Sequence, residues 1–195
     1  MANRSITYII AGTLLALTAV VWGCKKAEES YTANPDDSRF DRPYCNDPFA
    51  INYNWNFPGT PDNTTCFYPI DIFGGSYMLT DSIYDADYQP DTVLKYPIRL
   101  FSLNSSRIKI GITGFCDKDT LELTADRFYK AFLDSMDAKI NGFDAKLSGQ
   151  LACRTVDTIS GYIQKSQSDS NKLSIYFTIA SDTGLSYHKG TAIKQ

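Results

Sequence analysis

The sequence predicts an all-β protein: an antiparallel up-and-down barrel or sandwich of about eight strands, preceded by a short loop module bracketed by cysteines. Three observations carry this. From Phe73 onward apolar residues recur with period two, the spacing of half-buried strands rather than of a helix face. Polar turn clusters divide that region at short intervals, as at Asn104-Ser105-Ser106, Gln167-Ser168-Asp169-Ser170-Asn171 and Asp182-Thr183-Gly184. No strand–helix–strand spacing occurs. A strand set of this number closes naturally on itself, because closure leaves no edge of unpaired backbone groups.

In chain order, residues 1–23 read as a signal peptide, with Arg4, an apolar stretch from Ile6 to Trp22, and Gly23 directly before Cys24. The apolar run is interrupted by Thr7, Gly12, Thr13 and Thr18 and followed at once by Lys25, Lys26, Glu28 and Glu29, so a permanent membrane span is the weaker reading. Without residues 1–23 the chain keeps 18 of its 19 basic residues and all 22 acidic ones, a formal charge of −4. That balance, with no dense Lys/Arg cluster, lacks the electrostatic footprint of a nucleic-acid binder. Residues 24–42 are polar and without apolar period, which predicts a flexible tether.

Residues 43–69 form a Pro/Gly/Asn-rich stretch between Cys45 and Cys66. It is too short to bury a core of its own, and a disulfide closing it would add about 3 kcal/mol. Residues 70–195 hold the strands. Tyr77 and Leu79 alternate with Met78 and Thr80; Ile98 and Leu100 alternate likewise, as do Ile108, Ile110 and Ile112. Near the end, Leu173, Ile175, Phe177 and Ile179 share one face. Asn141-Gly142 between Ile140 and Phe143 predicts a two-residue hairpin. Just before it, Phe128, Phe132, Met136 and Ile140 fall at helical spacing, which predicts a helical turn near residues 126–133. The five cysteines leave one over after pairing. Four allow three connectivities, and the compositional split favours Cys45–Cys66 with Cys116–Cys153.

The stretch Val21-Trp22-Gly23-Cys24 resembles a bacterial lipobox. The resemblance implies that Cys24 becomes an acylated N-terminus that binds the lipid bilayer, and it accounts for the odd thiol. Lys25-Lys26-Ala27-Glu28-Glu29 resembles the charged signal of some Bacteroidetes surface lipoproteins, and reads equally as a solvated tether. The run from Cys45-Asn46-Asp47-Pro48 to Asp62-Asn63-Thr64-Thr65-Cys66-Phe67-Tyr68 resembles a cysteine-bracketed repeat of secreted Bacteroidetes proteins, in one copy. Phe73-Gly74-Gly75-Ser76-Tyr77-Met78-Leu79-Thr80-Asp81-Ser82, Ile159-Ser160-Gly161-Tyr162, Leu173-Ser174-Ile175-Tyr176-Phe177-Thr178-Ile179 and Gly190-Thr191-Ala192 resemble the lipocalin-like β domain of small Bacteroidetes lipoproteins. Together these imply a lipoprotein of the cell outer membrane, on its surface or periplasmic face.

Chemistry is thinly marked. The one histidine, His188, lies among Ser186, Tyr187 and Lys189 and reads as an exposed strand residue rather than as the base of a Ser-His-Asp site. Asp85 and Asp87 read as solvated turn residues rather than a glycosidase pair. Asp47, Asn52, Asn54 and Asp62 carry oxygens suited to calcium, but no regular ligand ladder, so turn chemistry is the expectation and no metal or cofactor is predicted. Among 13 Tyr and 11 Phe, the residues Tyr84, Tyr88 and Tyr96 form a candidate ligand rim, although strand propensity alone also selects tyrosine. Ser82, Thr92, Thr120, Ser135 and Thr158 each follow Asp and precede an aliphatic residue or Met, which resembles a Bacteroidetes O-glycosylation acceptor. The expected function is therefore non-catalytic: a lipid-anchored envelope protein whose β domain binds a small ligand, a glycan or an envelope partner. A structural or adhesive module without a pocket is the alternative, and a hydrolase is third. A roomy polar lumen supports carriage of a ligand inside the barrel, whereas a lumen filled by side chains leaves the outer surface.

Overall fold

The structure, a computed structural model, describes residues 38–116, 119–140, 143–147, 149–151 and 157–195. The segment read as a signal peptide, Cys24, most of the segment read as a tether, Cys153 and Asn141-Gly142 lie outside the described residues, and with them the expected two-residue turn and Cys116–Cys153 pairing.

The loop module opens with β1 (Pro43–Tyr44) and β2 (Thr60–Pro61), a short parallel pair. Its backbone is fixed by its Asn and Asp side chains. Asn52 donates from its amide to the Thr65 carbonyl and accepts from the Phe67 N–H. Asp62 accepts from the Thr64 N–H at the start of a 3-10 turn, Asn63–Thr65. Cys45 and Cys66 are joined by a disulfide, as the sequence predicts, and Cys45, Ala50 and Tyr68 bury a small core beside it. The helix α1 (Pro69–Phe73) follows, with Pro at its first position and Asp71 accepting from the Tyr68 N–H.

The strands are β3 (Gly75–Tyr84), β4 (Pro90–Ser102), β5 (Lys109–Cys116), β6 (Asp119–Ala125) and β7 (Lys130–Leu133), then β8 (Asp137–Ile140), β9 (Phe143–Lys146), β10 (Gln150–Leu151), β11 (Thr158–Lys165), β12 (Lys172–Ser181) and β13 (Gly184–Lys194). Each of β3 to β7 pairs antiparallel with the next, β11 to β13 do the same, β13 pairs with β3, and β7 pairs with β11. The result is an eight-strand closed antiparallel barrel, the first of the two architectures expected. The hairpin β8–β9, with Ile140 opposite Phe143, is set aside from the barrel sheet.

Period-two alternation fills the interior. Tyr77, Leu79, Ile98, Leu100, Ile110, Ile112, Leu121, Leu123, Ile159, Ile163, Leu173, Ile175 and Phe177 point inward and are essentially inaccessible. Burying each such side chain contributes about 1.5–3 kcal/mol. The middle of the lumen is therefore a packed core rather than a channel. One end is closed by α1, whose Phe73 is fully buried in that core and whose terminal carbonyl accepts the Tyr77 hydroxyl at 2.9 Å. Lys165 is buried just above, its ammonium 3.2 Å from the same hydroxyl. Burial, then the nearby Lys194 charge, lowers the Lys165 pKa.

The helical turn expected near residues 126–133 is not formed; residues 126–129 are a turn and Lys130–Leu133 is strand β7. The cause is local and tertiary at once. Asp126 accepts from the N–H groups of Phe128 and Lys130, and Tyr129 takes a φ of 66°, which ends any helix. Ala131 and Leu133 then face the core, and β7 supplies the pairing that β11 needs to close the barrel. β7 spans only part of that gap. Beyond it β10 pairs with β11, and the Gln150 amide accepts from the Glu122 N–H at 2.9 Å and donates to the Glu122 carbonyl, so one side chain bridges β6 where a strand is missing.

Candidate functional site

Two constellations carry chemistry. The first is inside the barrel, at the end away from α1. On β3 the inward series Tyr77, Leu79 continues to Asp81, and on β13 the inward series Ala192, Gly190 continues to His188 and Ser186. Asp81 is 1% exposed and His188 8%. This corrects the reading of His188 as an exposed strand residue: alternation from Ala192 turns it inward, and Asp81 is the partner it meets. Asp81 Oδ2 lies 2.7 Å from His188 Nδ1 and accepts the Tyr96 hydroxyl at 3.0 Å. His188 Nε2 lies 3.3 Å from Ser186 Oγ. With Nδ1 as the donor to the carboxylate, Nε2 is left to accept from the serine hydroxyl. Asp81 Oδ1 has no hydrogen-bond partner among the described residues.

Phe115 walls this cluster, with ring centroids 5.5 Å from His188, 5.2 Å from Phe177 and 6.2 Å from Tyr96. It stands beside Gly114, whose φ of 95° marks the irregular pairing between β5 and β6, and where a side chain would strike the Pro97 carbonyl. Burial, then the charge and hydrogen bond of Asp81, push the Tyr96 phenol far above its ordinary value. The arrangement sets a hydroxyl, an imidazole and a carboxylate in one line, the order of groups in a Ser-His-Asp site.

The second constellation lies where the loop module meets the barrel turn at residues 127–129. Ile51, Tyr53 and Trp55 from the module, with Arg127, Phe128, Tyr129 and Gln167 from the barrel loops, line a groove of about 300 Å³. Trp55 is 54% exposed and Phe128 64%, although large apolar side chains ordinarily withdraw from water. Trp55 is packed edge-on against Phe67 at 5.6 Å. Asn54 and Asn56, on either side of Trp55, have φ of 58° and 67°, and Tyr129 has 66°. Left-handed backbone at a bulky residue such as Tyr129 is a genuine outlier, and such strain collects at functional sites. The Arg127 guanidinium lies 5.2 Å from the Tyr53 ring and 5.0 Å from the Phe128 ring, a cation–π contact with both. A clamp keeps the module in place: Arg107 lies 4.4 Å over the Tyr68 ring and donates to its hydroxyl, which donates to Asp47 Oδ2 at 2.9 Å.

The residues expected as a ligand rim are divided. Tyr96 points inward to Asp81, while Tyr88, 62% exposed, stacks at 4.1 Å on Tyr187, which faces away from the barrel interior. Tyr84 ends β3 opposite Tyr187. Asp85 accepts from the N–H groups of Asp87 and Gln89 in the β3–β4 turn. Asp47, Asn52 and Asp62 are engaged in the module's own hydrogen bonds, and among the described residues no group of three or more His, Cys, Asp or Glu is placed to hold a metal. Thr92, Thr120 and Ser135 are exposed; Ser82 and Thr158 are half-buried. Sequence reading missed Asp81, Ser186 and Arg127. A polar residue on an otherwise apolar inward series was the available signal for the first two; nothing local pairs Arg127 with Tyr53. The chain matches no known family model and no curated protein.

Proposed function

We propose that this protein is an envelope lipoprotein, anchored in the outer membrane through acylated Cys24, whose β-barrel domain binds a small semi-polar ligand in the groove between the loop module and the turn at residues 127–129. One observation carries the ligand reading: a ligand-sized concavity lined by Tyr53, Trp55, Phe128 and Tyr129 with one cation, built on strained backbone. The filled lumen argues against carriage inside the barrel and moves the binding site to its outer end. Native mass spectrometry of the protein purified from its own envelope tests this. A small molecule that co-purifies with the parent and not with Trp55→Ala supports the reading; identical ligand-free spectra support the structural or adhesive alternative. The same intact mass reports the anchor, since acylation requires loss of residues 1–23 and a lipid increment abolished by Cys24→Ser.

A second reading, hydrolysis, is favoured by the line Asp81, His188, Ser186. An activated serine reacts with a fluorophosphonate probe; adduct on Ser186 that is lost in His188→Phe supports this reading, and an unlabelled chain removes it.

A further inference from the structure

Resting on the groove as the ligand site, we infer that its ligand is an acidic saccharide, a sugar ring bearing a carboxylate, with Arg127 receiving the acid and the aromatic side chains receiving the ring faces. Arg127 finds no carboxylate partner among the described residues; its contacts there are the rings of Tyr53 and Phe128. A guanidinium held by two rings is already ordered, and its N–H edge matches a carboxylate in two-point geometry. The other arginine stacked on a ring among the described residues, Arg107 over Tyr68, has an acid, Asp47, at 3.8 Å. Arg127 is the groove's charged group, and it is cationic, so the complementary ligand carries an anion.

The rest of the lining specifies what bears that anion. Trp55 and Phe128 remain more than half exposed, which makes the groove a wet, shallow platform rather than a dry pocket for an aliphatic side chain. Gln167 adds an amide at its rim, and the Tyr53 and Tyr129 hydroxyls add groups that both donate and accept. A pyranose ring suits this combination, with apolar C–H faces for the aromatics and hydroxyls for the amide and phenols. Trp55 is packed edge-on against Phe67 at 5.6 Å, and Arg127 lies against the Tyr53 and Phe128 rings, so less rotamer freedom is lost when a sugar ring docks.

The test uses the full-length lipoprotein in detergent and titration calorimetry against oligomers of galacturonate, of mannuronate and of a glucuronate-containing glycan. Each is matched with its methyl ester, which keeps the ring and removes the charge. The expected result is binding of at least one acid oligomer, weakened by raised salt, by esterification, and about 10- to 100-fold by Arg127→Gln. Trp55→Ala lowers affinity for acid and ester alike, about 10-fold. Thermal melting of both variants at the parental temperature shows that each is folded. Equal binding of acid and ester, insensitive to Arg127→Gln, overturns the acidic specificity while leaving the groove as a saccharide site. Binding of no saccharide overturns the inference, and an unmoved ligand spectrum in Trp55→Ala then overturns the groove itself. Preference for a peptide with a free C-terminal carboxylate over every sugar also overturns it.

Discussion

Replacing His188 by Phe keeps a ring of similar breadth against Phe115 and Phe177 but removes the Nδ1–H that faces Asp81 Oδ2 at 2.7 Å. The carboxylate is 1% exposed and its Oδ1 has no partner among the described residues, so the Tyr96 hydroxyl at 3.0 Å becomes its last donor. Leaving the buried carboxylate without that donor costs about 3 kcal/mol, the upper end for an unpaired buried group because the acceptor is charged. For a domain of this size that lowers Tm by about 6–12 °C. Asp81→Leu leaves the His188 and Tyr96 donors buried without an acceptor and costs about 1–3 kcal/mol. The double variant Asp81→Leu/His188→Phe removes donor and acceptor together and returns toward the parent, because replacing both members of a buried pair by apolar groups is often neutral. Urea denaturation followed by intrinsic fluorescence, with midpoints compared at constant slope, gives all three values. If His188→Phe falls within about 0.5 kcal/mol of the parent, or if the double variant is as unstable as the sum of the singles, the carboxylate does not depend on the histidine and the reasoning fails.

The Cys45–Cys66 disulfide closes a loop of 21 residues' separation, worth about 3 kcal/mol, so Cys45→Ser/Cys66→Ser is expected to loosen the module and the groove before the barrel. Limited proteolysis that still spares residues 43–68 would contradict this. Gln150→Ala removes both hydrogen bonds to the Glu122 backbone and is expected to cost about 1–3 kcal/mol, with faster amide exchange at Glu122; unchanged exchange would mean that the bridge is not what closes the gap. Burial pushes the Tyr77 phenol up to about 12 and the Tyr96 phenol higher still, whereas both ionise near pH 10 when unfolded. The folded state then holds more protons, so stability is full below pH 10 and falls as pH rises toward 12. Phenolate absorbance should show these two groups ionising only with unfolding, and reversible titration of Tyr77 with the exposed tyrosines would contradict it.

The inward faces were legible because alternation is a property of the strand itself. Tyr77 and Leu79, Ile98 and Leu100, Ile110 and Ile112, and Leu173, Ile175 and Phe177 all point where period two places them. The same rule, carried from Ala192 through Gly190, places His188 and Ser186 inward; the lack of a neighbour close in sequence hid it. Residues 126–133 misled for a different reason. Phe128 and Phe132 match a helical spacing, but both are largely exposed, and the turn is set by the Asp126 carboxylate and the left-handed Tyr129. Of the candidate rim, Tyr84, Tyr88 and Tyr96 are close in sequence yet divided by the pleat and the β3–β4 turn, which sends one ring inward and stacks another on an outward-facing tyrosine.

By itself the sequence determined the all-β class, the apolar faces and the module held by Cys45 and Cys66, because backbone pleat, turn chemistry and loop closure act over a few to about twenty residues. Only the tertiary structure decided that β7 closes the barrel on β11, and hence which distant side chains become neighbours. Asp81 and His188 are 107 residues apart in the chain and 2.7 Å apart in the barrel. Tyr53 and Arg127 are likewise distant in the chain, and the guanidinium lies 5.2 Å from the ring. Closure converts a local periodicity into contacts that no local pattern contains, and both candidate sites are built from such contacts.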